Sequence, residues 1–269
     1  MRRYLFVGQD ILVPAAPGAG PFVAEETPDV LAGRAFPHRD YDDLSGGLVR
    51  AYLLDEESAT LALGGKGEGE LRRLSLREAL GLYDMEAMKA PLRGIALLRA
   101  LEASRFCGFC GGQMRDNGPE GFDGSGRICA SCGKLHFPRI SPAIIVLIRK
   151  GPRALVAHNA HFPKGRFGLI AGFVEAGESL EEAAKREALE ETGIEIGDLR
   201  YVMSQSWPFP DSLMMAFAAE WVSGEARPDG KEIEELRWCL PSELPDIPPI
   251  GSVARVLLDE FALSQEKSG

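Results

Sequence analysis

Two C-x-x-C pairs constrain this chain more than any other feature. Cys107-x-x-Cys110 and Cys129-x-x-Cys132 are separated by eighteen residues, and each pair sits beside glycine, in "CGFCGG" and "CASCG". The surrounding segment, residues 105 to 137, is dense in Gly and poor in apolar side chains. Such a stretch cannot bury enough surface to fold alone. Two knuckles of this kind can set four thiolates tetrahedrally around Zn²⁺, with Zn–S near ~2.3 Å. The spacing fits a zinc-ribbon, C-x-x-C, roughly 15–20 residues, C-x-x-C. Four protein ligands leave no open coordination position, so the expected ion, one Zn²⁺ per chain, is structural. The alternatives are two disulfides or four free thiols. The N-terminal "MRRYLFVGQDILVP" breaks its apolar stretch at Gln9 and Asp10, too early for a signal-peptide core, and reads as a strand. The expected compartment is therefore the cytoplasm, where metal ligation outweighs disulfides. Cys239, alone in an apolar strand, reads as a small buried hydrophobe.

The cysteine segment divides the chain into residues 1–103, an N-terminal α/β domain; 104–137, the ribbon; 138–263, a second α/β domain; and 264–269, a tail expected to be disordered. In the first part "YLFVG", "GLVRAYLL" and "SATLALGG" read as short strands between Gly/Pro loops. "LSLREALGLY" reads as a helix with Ser75 near its start. A second helix is expected from about Pro91 to Ser104, with Ala96, Leu97, Ala100 and Leu101 as its apolar stripe. After Arg139, "SPAIIVLIRKG" is the near-continuous apolar run of a buried strand, with "RALVAHNA" as its hairpin partner. Further strands are expected around Leu199 to Gln205, in "SLMMAFAAEWV" and near "EELRWCLPSEL". A final helix is expected from Ser252 to about Leu263. No run approaches the length of a membrane-spanning helix. The net charge of −10 argues against wholesale binding to a nucleic-acid backbone and allows a need for cations.

Gly172 to Ile194, "GFVEAGESLEEAAKREALEETGI", holds seven glutamates. A helix is expected to start at Ser179, because Ser179-x-x-Glu182 is a capping-box pattern and Gly193 suits the position after the last turn. Leu180, Ala183, Ala184, Ala188 and Leu189 form the expected buried stripe. Glu187, Glu190 and Glu191 stand at i, i+3 and i+4, neighbours on one face. Alone, three carboxylates so placed repel; hard divalent cations such as Mg²⁺ or Mn²⁺ reverse the sign of that effect.

The segment matches G-x₅-E-x₇-R-E-U-x-E-E-x-G-U, where U is aliphatic, at Gly172, Glu178, Arg186, Glu187, Ala188, Glu190, Glu191, Gly193 and Ile194. This resembles the signature of the Nudix hydrolases, which cleave a diphosphate linked to another moiety. The resemblance implies an α+β chain in which a C-terminal α/β/α Nudix sandwich follows the four-cysteine zinc-ribbon and the N-terminal domain. It implies two or three Mg²⁺ or Mn²⁺ ions held by Glu187, Glu190 and Glu191, with the backbone carbonyl of Ala171 as a further ligand. Arg186 is expected to pair with Glu178 and hold the loop. Glu191 or Glu190 would deprotonate the attacking water.

A second element, "SQSWPFPDSLM", resembles the S-Q-P-W-P-F-P-x-S stretch of the NADH pyrophosphatase subfamily. Gln205, Trp207, Pro208, Phe209, Pro210 and Ser212 stand as that pattern has them; Ser206 replaces a proline and Asp211 fills the variable position. Aromatic rings stiffened by prolines make a flat wall for a nucleotide. The same resemblance implies base stacking by Phe137, where a Tyr is expected, and by Phe173. It implies a later metal-binding Glu at Glu232, a backbone contact at Ala254 and, across a one-residue length difference, a substrate-contacting Arg at Arg77. A substrate-contacting Glu expected before the second cysteine pair has no clear match in "DGSGRI".

The expectation is hydrolysis of NADH or NAD⁺ to AMP and nicotinamide mononucleotide by a homodimer, and removal of NAD caps from RNA 5′ ends by the same chemistry. Local basic residues (Arg115, Arg127, Lys134, Arg139, Arg149, Lys150, Arg153) are either RNA contacts or a solvated surface. The rivals are hydrolysis of ADP-ribose or dinucleoside polyphosphates, and a non-catalytic nucleic-acid-binding protein built on the ribbon.

Overall fold

The computed structural model describes residues 2–16, 18–23, 35–43, 45–64, 70–117 and 126–266. They fall into two compact units, 1–139 and 140–269.

The first unit begins with β1 (Arg2–Val7) and β2 (Asp10–Pro14), followed by β3 (His38–Asp42), β4 (Leu48–Leu53), α1 (Glu56–Leu63), β5 (Leu71–Ser75), α2 (Leu76–Leu82) and α3 (Met85–Ala103). Its five strands run in the order β3-β4-β1-β2-β5, with β1 parallel to β4 and antiparallel to β2. Leu5, Val7, Leu12, Leu54, Ala59 and Ala62 build one of its cores.

Two local expectations change here. "SATLALGG" is not a strand: Ser58 to Leu63 lie in α1, and Gly65 falls outside the described residues. Asp55 decides this, because its side chain accepts the Ser58 N–H and nucleates the turn. The helix expected from Pro91 begins earlier, at Met85, because Asp84 caps it through the Ala87 N–H. Pro91 lies inside α3, and the buried stripe is Met88, Leu92, Ile95 and Leu98 together with Leu97; Ala96, Ala100 and Leu101 are only half-buried. Ser75 caps α2 as expected, in a capping box with Glu78.

The same unit ends in a three-stranded sheet of β6 (Met114–Asp116), β7 (Arg127–Cys129) and β8 (Leu135–His136). Arg127 fastens it to the end of α3: its guanidinium donates to the carbonyls of Ser104 at 2.9 Å, Leu101 at 3.2 Å and Met114 at 2.8 Å.

In the second unit β9 (Ser141–Lys150), β10 (Arg153–Asn159), β11 (Ile170–Phe173), α4 (Leu180–Thr192), β12 (Glu195–Trp207), β13 (Ser212–Ser223), β14 (Ile233–Cys239) and α5 (Val253–Glu266) follow in order. The sheet order is β12-β13-β9-β10-β14, with β11 also paired to β9. The apolar run of β9 explains the layering, since successive side chains point to opposite faces. Ile144, Val146 and Ile148 pack with Ala183, Ala184 and Ala188 of α4. Ile145 and Leu147 pack with Val253, Leu257, Leu258 and Phe261 of α5. The result is an α/β/α sandwich with β9 buried on both faces. The final helix runs to Glu266, so Ser264 to Glu266 of the expected tail are helical; 267–269 lie outside the described residues. No helix among the described residues is long and apolar enough to cross a membrane.

Candidate active site

The helix α4 forms where its caps predict. Ser179 accepts the Glu182 N–H and the Glu182 carboxylate accepts the Ser179 N–H. Gly193 ends the helix at φ 72°, a left-handed conformation that costs glycine nothing. Its buried stripe is Ala183, Ala184 and Ala188, continued by Glu191 and Thr192. Leu189, expected in the stripe, is 53% exposed. One residue past Ala188 is about 100° around the helix, which carries Leu189 off the stripe. The small Ala188 is fully buried against the sheet.

Arg186 organises the charges. Its guanidinium donates twice to Glu178, at 2.6 and 3.0 Å, and once to the Phe173 carbonyl at 2.9 Å. Its remaining nitrogen bridges Glu187 at 2.9 Å and Glu190 at 3.0 Å. The pairing with Glu178 ties the loop after β11 to the helix. Gly172 leaves room for this: a Cβ there would stand 2.0 Å from the Glu187 carboxyl carbon.

Glu191 is the unusual member. It is 7% exposed, and its Oε2 is buried without a hydrogen-bond partner among the described residues. Burial first, then the charges of Glu187, Glu232, Asp229 and Glu190, push its carboxyl up to about 8. Burial also raises Glu187, partly offset by Arg186. An orphaned buried carboxylate oxygen beside several further carboxylates fits oxygen-seeking divalent cations. Asp229 is an acid that reading the sequence missed. Its signal was the turn tripeptide Pro228-Asp229-Gly230, since Asp in a turn accepts nearby backbone N–H groups.

Glu232 is exposed immediately before β14, and Ala171 lies in β11. Phe173, 55% exposed, ends β11. The aromatic segment closes the β12–β13 hairpin, where Trp207 and Phe209 meet edge-to-face at 4.8 Å and 61°. Pro208 is buried; Ser206 and Pro210 are exposed. The Asp211 carbonyl accepts the Ser141 N–H at 2.8 Å, and Ser212 is buried opposite Ser141.

Gln205, expected as a polar contact, is held inside the fold. It is 5% exposed, donates to the Gly251 carbonyl at 2.7 Å and accepts the Val253 N–H at 2.7 Å. Both ends of the amide hold the start of α5 against β12. Ala254 sits in the first turn of α5, buried. In the first unit, Phe137 is 58% exposed and Arg77 is exposed on α2.

The NUDIX domain family matches residues 138–261. A protein of Chromobacterium violaceum named NAD-capped RNA hydrolase NudC is 44% identical over 185 residues, 69% of this chain and 68% of that protein. The protein of the same name from Edwardsiella ictaluri is 44% identical over 168 residues, 62% of this chain and 64% of that protein. A crystal structure of a NUDIX hydrolase from Nitrosomonas europaea, 28% identical, superposes with a TM-score of 0.50 over 61% of this chain and 91% of that one. The chain belongs to the Nudix family. Its similarity to the NudC proteins is longer than the Nudix domain alone.

This Nudix chain also carries its cysteine centre in the first unit. Among the described residues, the four cysteines form the set of metal-binding side chains whose ligand atoms all lie within 4.8 Å of one another. Cys107 and Cys132 sulfurs stand 3.8 Å apart and those of Cys110 and Cys129 3.5 Å apart. A tetrahedron with ~2.3 Å metal–sulfur bonds has edges of about 3.8 Å. All four thiols are free of disulfides, so the disulfide alternative does not hold. Gly111 and Gly133 turn each knuckle at φ 72°. Backbone N–H groups of Cys132 and Ser131 point at the Cys129 sulfur, both at 3.4 Å, and hold that thiol down at about 6. This favours the thiolate that a metal needs. His136, also missed in the sequence, places Nε2 3.5 Å from the Cys107 sulfur.

Several of the basic residues are engaged individually. Arg127 ties the ribbon to α3, Arg149 pairs with Glu220, and Arg153 pairs with Glu243 at 2.7 Å. Lys134 lies over the Phe109 ring at 3.2 Å, and Lys150 over Trp221 at 3.6 Å.

Proposed function

We propose that this chain hydrolyses the diphosphate of NADH and NAD⁺, releasing AMP and nicotinamide mononucleotide, and cleaves the same bond where NAD caps an RNA 5′ end. The observation that carries the reading is Glu191, a buried carboxyl with an orphaned oxygen among Glu187, Glu190 and Glu232. The NudC names of the relatives point to the same substrates. Glu187, Glu190, Glu191, Glu232 and the Ala171 carbonyl would hold Mg²⁺ or Mn²⁺. Such ions, when bound, neutralise phosphate charge and lower the pKa of water.

The chain's own residues do the rest. Arg186 keeps Glu187 and Glu190 in register with the loop. A water oxygen bonds to one phosphorus as the bridging P–O bond breaks, and the departing phosphate keeps the bridging oxygen. Glu191, the buried carboxyl with an unpartnered oxygen, takes the proton of that water. In the second unit Phe173, Trp207 and Phe209 supply stacking faces, and Gln205, Ser206, Pro208, Pro210, Asp211, Ser212 and Ala254 are the remaining candidate contacts; in the first unit Phe137 and Arg77 keep the substrate-contact roles that the resemblance implies. Zn²⁺ in the cysteine centre is structural, and the working form is a cytoplasmic homodimer.

The test is product analysis of purified protein with Mg²⁺ or Mn²⁺ against NADH, NAD⁺, ADP-ribose, diadenosine polyphosphate and NAD-capped RNA. Fastest release of AMP and the mononucleotide from NAD(H) supports the reading. Faster turnover of ADP-ribose overturns it and makes Ser206 the mark of a changed substrate.

A further inference from the structure

Glu232 occupies a short loop before β14, and side chains on loops are poorly placed unless something holds the backbone. Here the backbone is held on both sides. The Asp229 Oδ1 accepts the N–H of Lys231 at 3.1 Å, of Glu232 at 3.2 Å and of Ile233 at 2.8 Å. The Gly230 N–H closes the turn on the Ile233 carbonyl at 3.1 Å, and the Glu232 carbonyl accepts the Ala160 N–H at 2.9 Å. The carboxylate of Glu232 makes no hydrogen bond or ion pair with a described residue. It lies close enough to Glu187 and Glu191 to act on both electrostatically.

We infer that Asp229 is a positioning residue for Glu232: by gathering three successive backbone N–H groups it fixes the loop that presents the Glu232 carboxylate to the divalent-cation site. This rests on the reading of Glu232 as a cation ligand. The three shorter bonds all fall on Oδ1, an acceptor that an asparagine side chain also offers; Oδ2 adds one longer contact, from the Glu232 N–H at 3.4 Å. For this positioning role the Oδ1 acceptor is what counts; the negative charge, which also acts on Glu191, is not what holds the loop. Partners that orient metal ligands are worth about 10- to 100-fold in metal affinity.

The experiment is Mn²⁺ titration of the full chain with its cysteine centre zinc-loaded and its glutamate site cleared of divalent ions, by calorimetry or electron paramagnetic resonance, for the parent, Asp229→Ala, Asp229→Asn, Glu232→Gln and Asp229→Ala/Glu232→Gln. Melting temperature and amide exchange at residues 231–233 are followed alongside. Asp229→Ala should weaken Mn²⁺ binding about 10-fold or more and speed exchange at those amides, with the rest of the chain still folded. Asp229→Asn should stay near the parent in both. The double variant should bind no worse than Glu232→Gln, because a residue acting through another adds nothing once that other is gone. Additive losses, an asparagine variant as weak as the alanine one, or an alanine variant like the parent would each overturn the inference. If Glu232→Gln alone leaves Mn²⁺ affinity unchanged, Glu232 is not a ligand and the inference falls with that reading. If Glu232→Gln weakens binding and Asp229→Ala does not, only the positioning role falls.

Discussion

At the scale of single residues, Glu191 has a measurable signature. Its carboxyl is raised to about 8 in the fold, above the ordinary glutamate value of 4.5. Between those values the folded chain binds a proton that the unfolded chain has lost, so metal-free stability falls as pH rises through that window. Glu191→Gln removes the effect. The metal-free variant should melt above the parent at about pH 8, with the gap closing toward about pH 4–5, as thermal denaturation across pH would show. Activity should drop by about 10²- to 10⁴-fold, the range for losing a general base. The three glutamates were legible from their i, i+3, i+4 spacing. Their differences were not: Glu190 is exposed and bonded to Arg186, while Glu191 is buried with a free oxygen. Burial depends on what the sheet brings against the helix.

At the scale of elements, caps were the most readable signals and the clearest guides to what was misread. Ser179, Ser75 and Gly193 behave as their positions predict. Asp55 and Asp84 were caps of the same kind, and overlooking them turned α1 into a strand and shortened α3. The capping box of α4 predicts that Ser179→Ala costs about 1 kcal/mol, read by urea denaturation, with the carboxylate positions at the far end of the helix less affected than overall stability. Gln205 teaches the opposite lesson. Its motif matched, yet the amide joins β12 to the start of α5 across more than forty residues of chain. A local pattern cannot reveal such a partner.

At the scale of the whole molecule, two kinds of stabilisation operate. The second unit has a continuous sheet with an apolar layer on each face. Among its described residues the cysteine segment has little more than Cys107, Met114 and Cys129 as its core, so its order is expected to depend on the thiolates sharing a metal. Metal analysis should find one Zn²⁺ per chain, lost in Cys129→Ser. Removing it with a chelator and a thiol-reactive mercurial should abolish amide protection around residues 105–137 while β9 and β13 stay protected. Retained protection in the ribbon would show that its hydrogen bonds suffice.

The sequence by itself determined what depends on neighbours along the chain. It specified the metal-binding knuckles, the capped glutamate helix, the apolar strand run of β9 and the family signature, because each is a short-range relation of residue type and spacing. Only the tertiary structure decided that β9 serves two helices with alternate side chains, that Glu191 is the buried carboxyl, that Gln205 is a tie and that Asp229 braces Glu232. Each of those depends on surface removed from water, or on a hydrogen bond closed, by segments that meet only when the sheet forms.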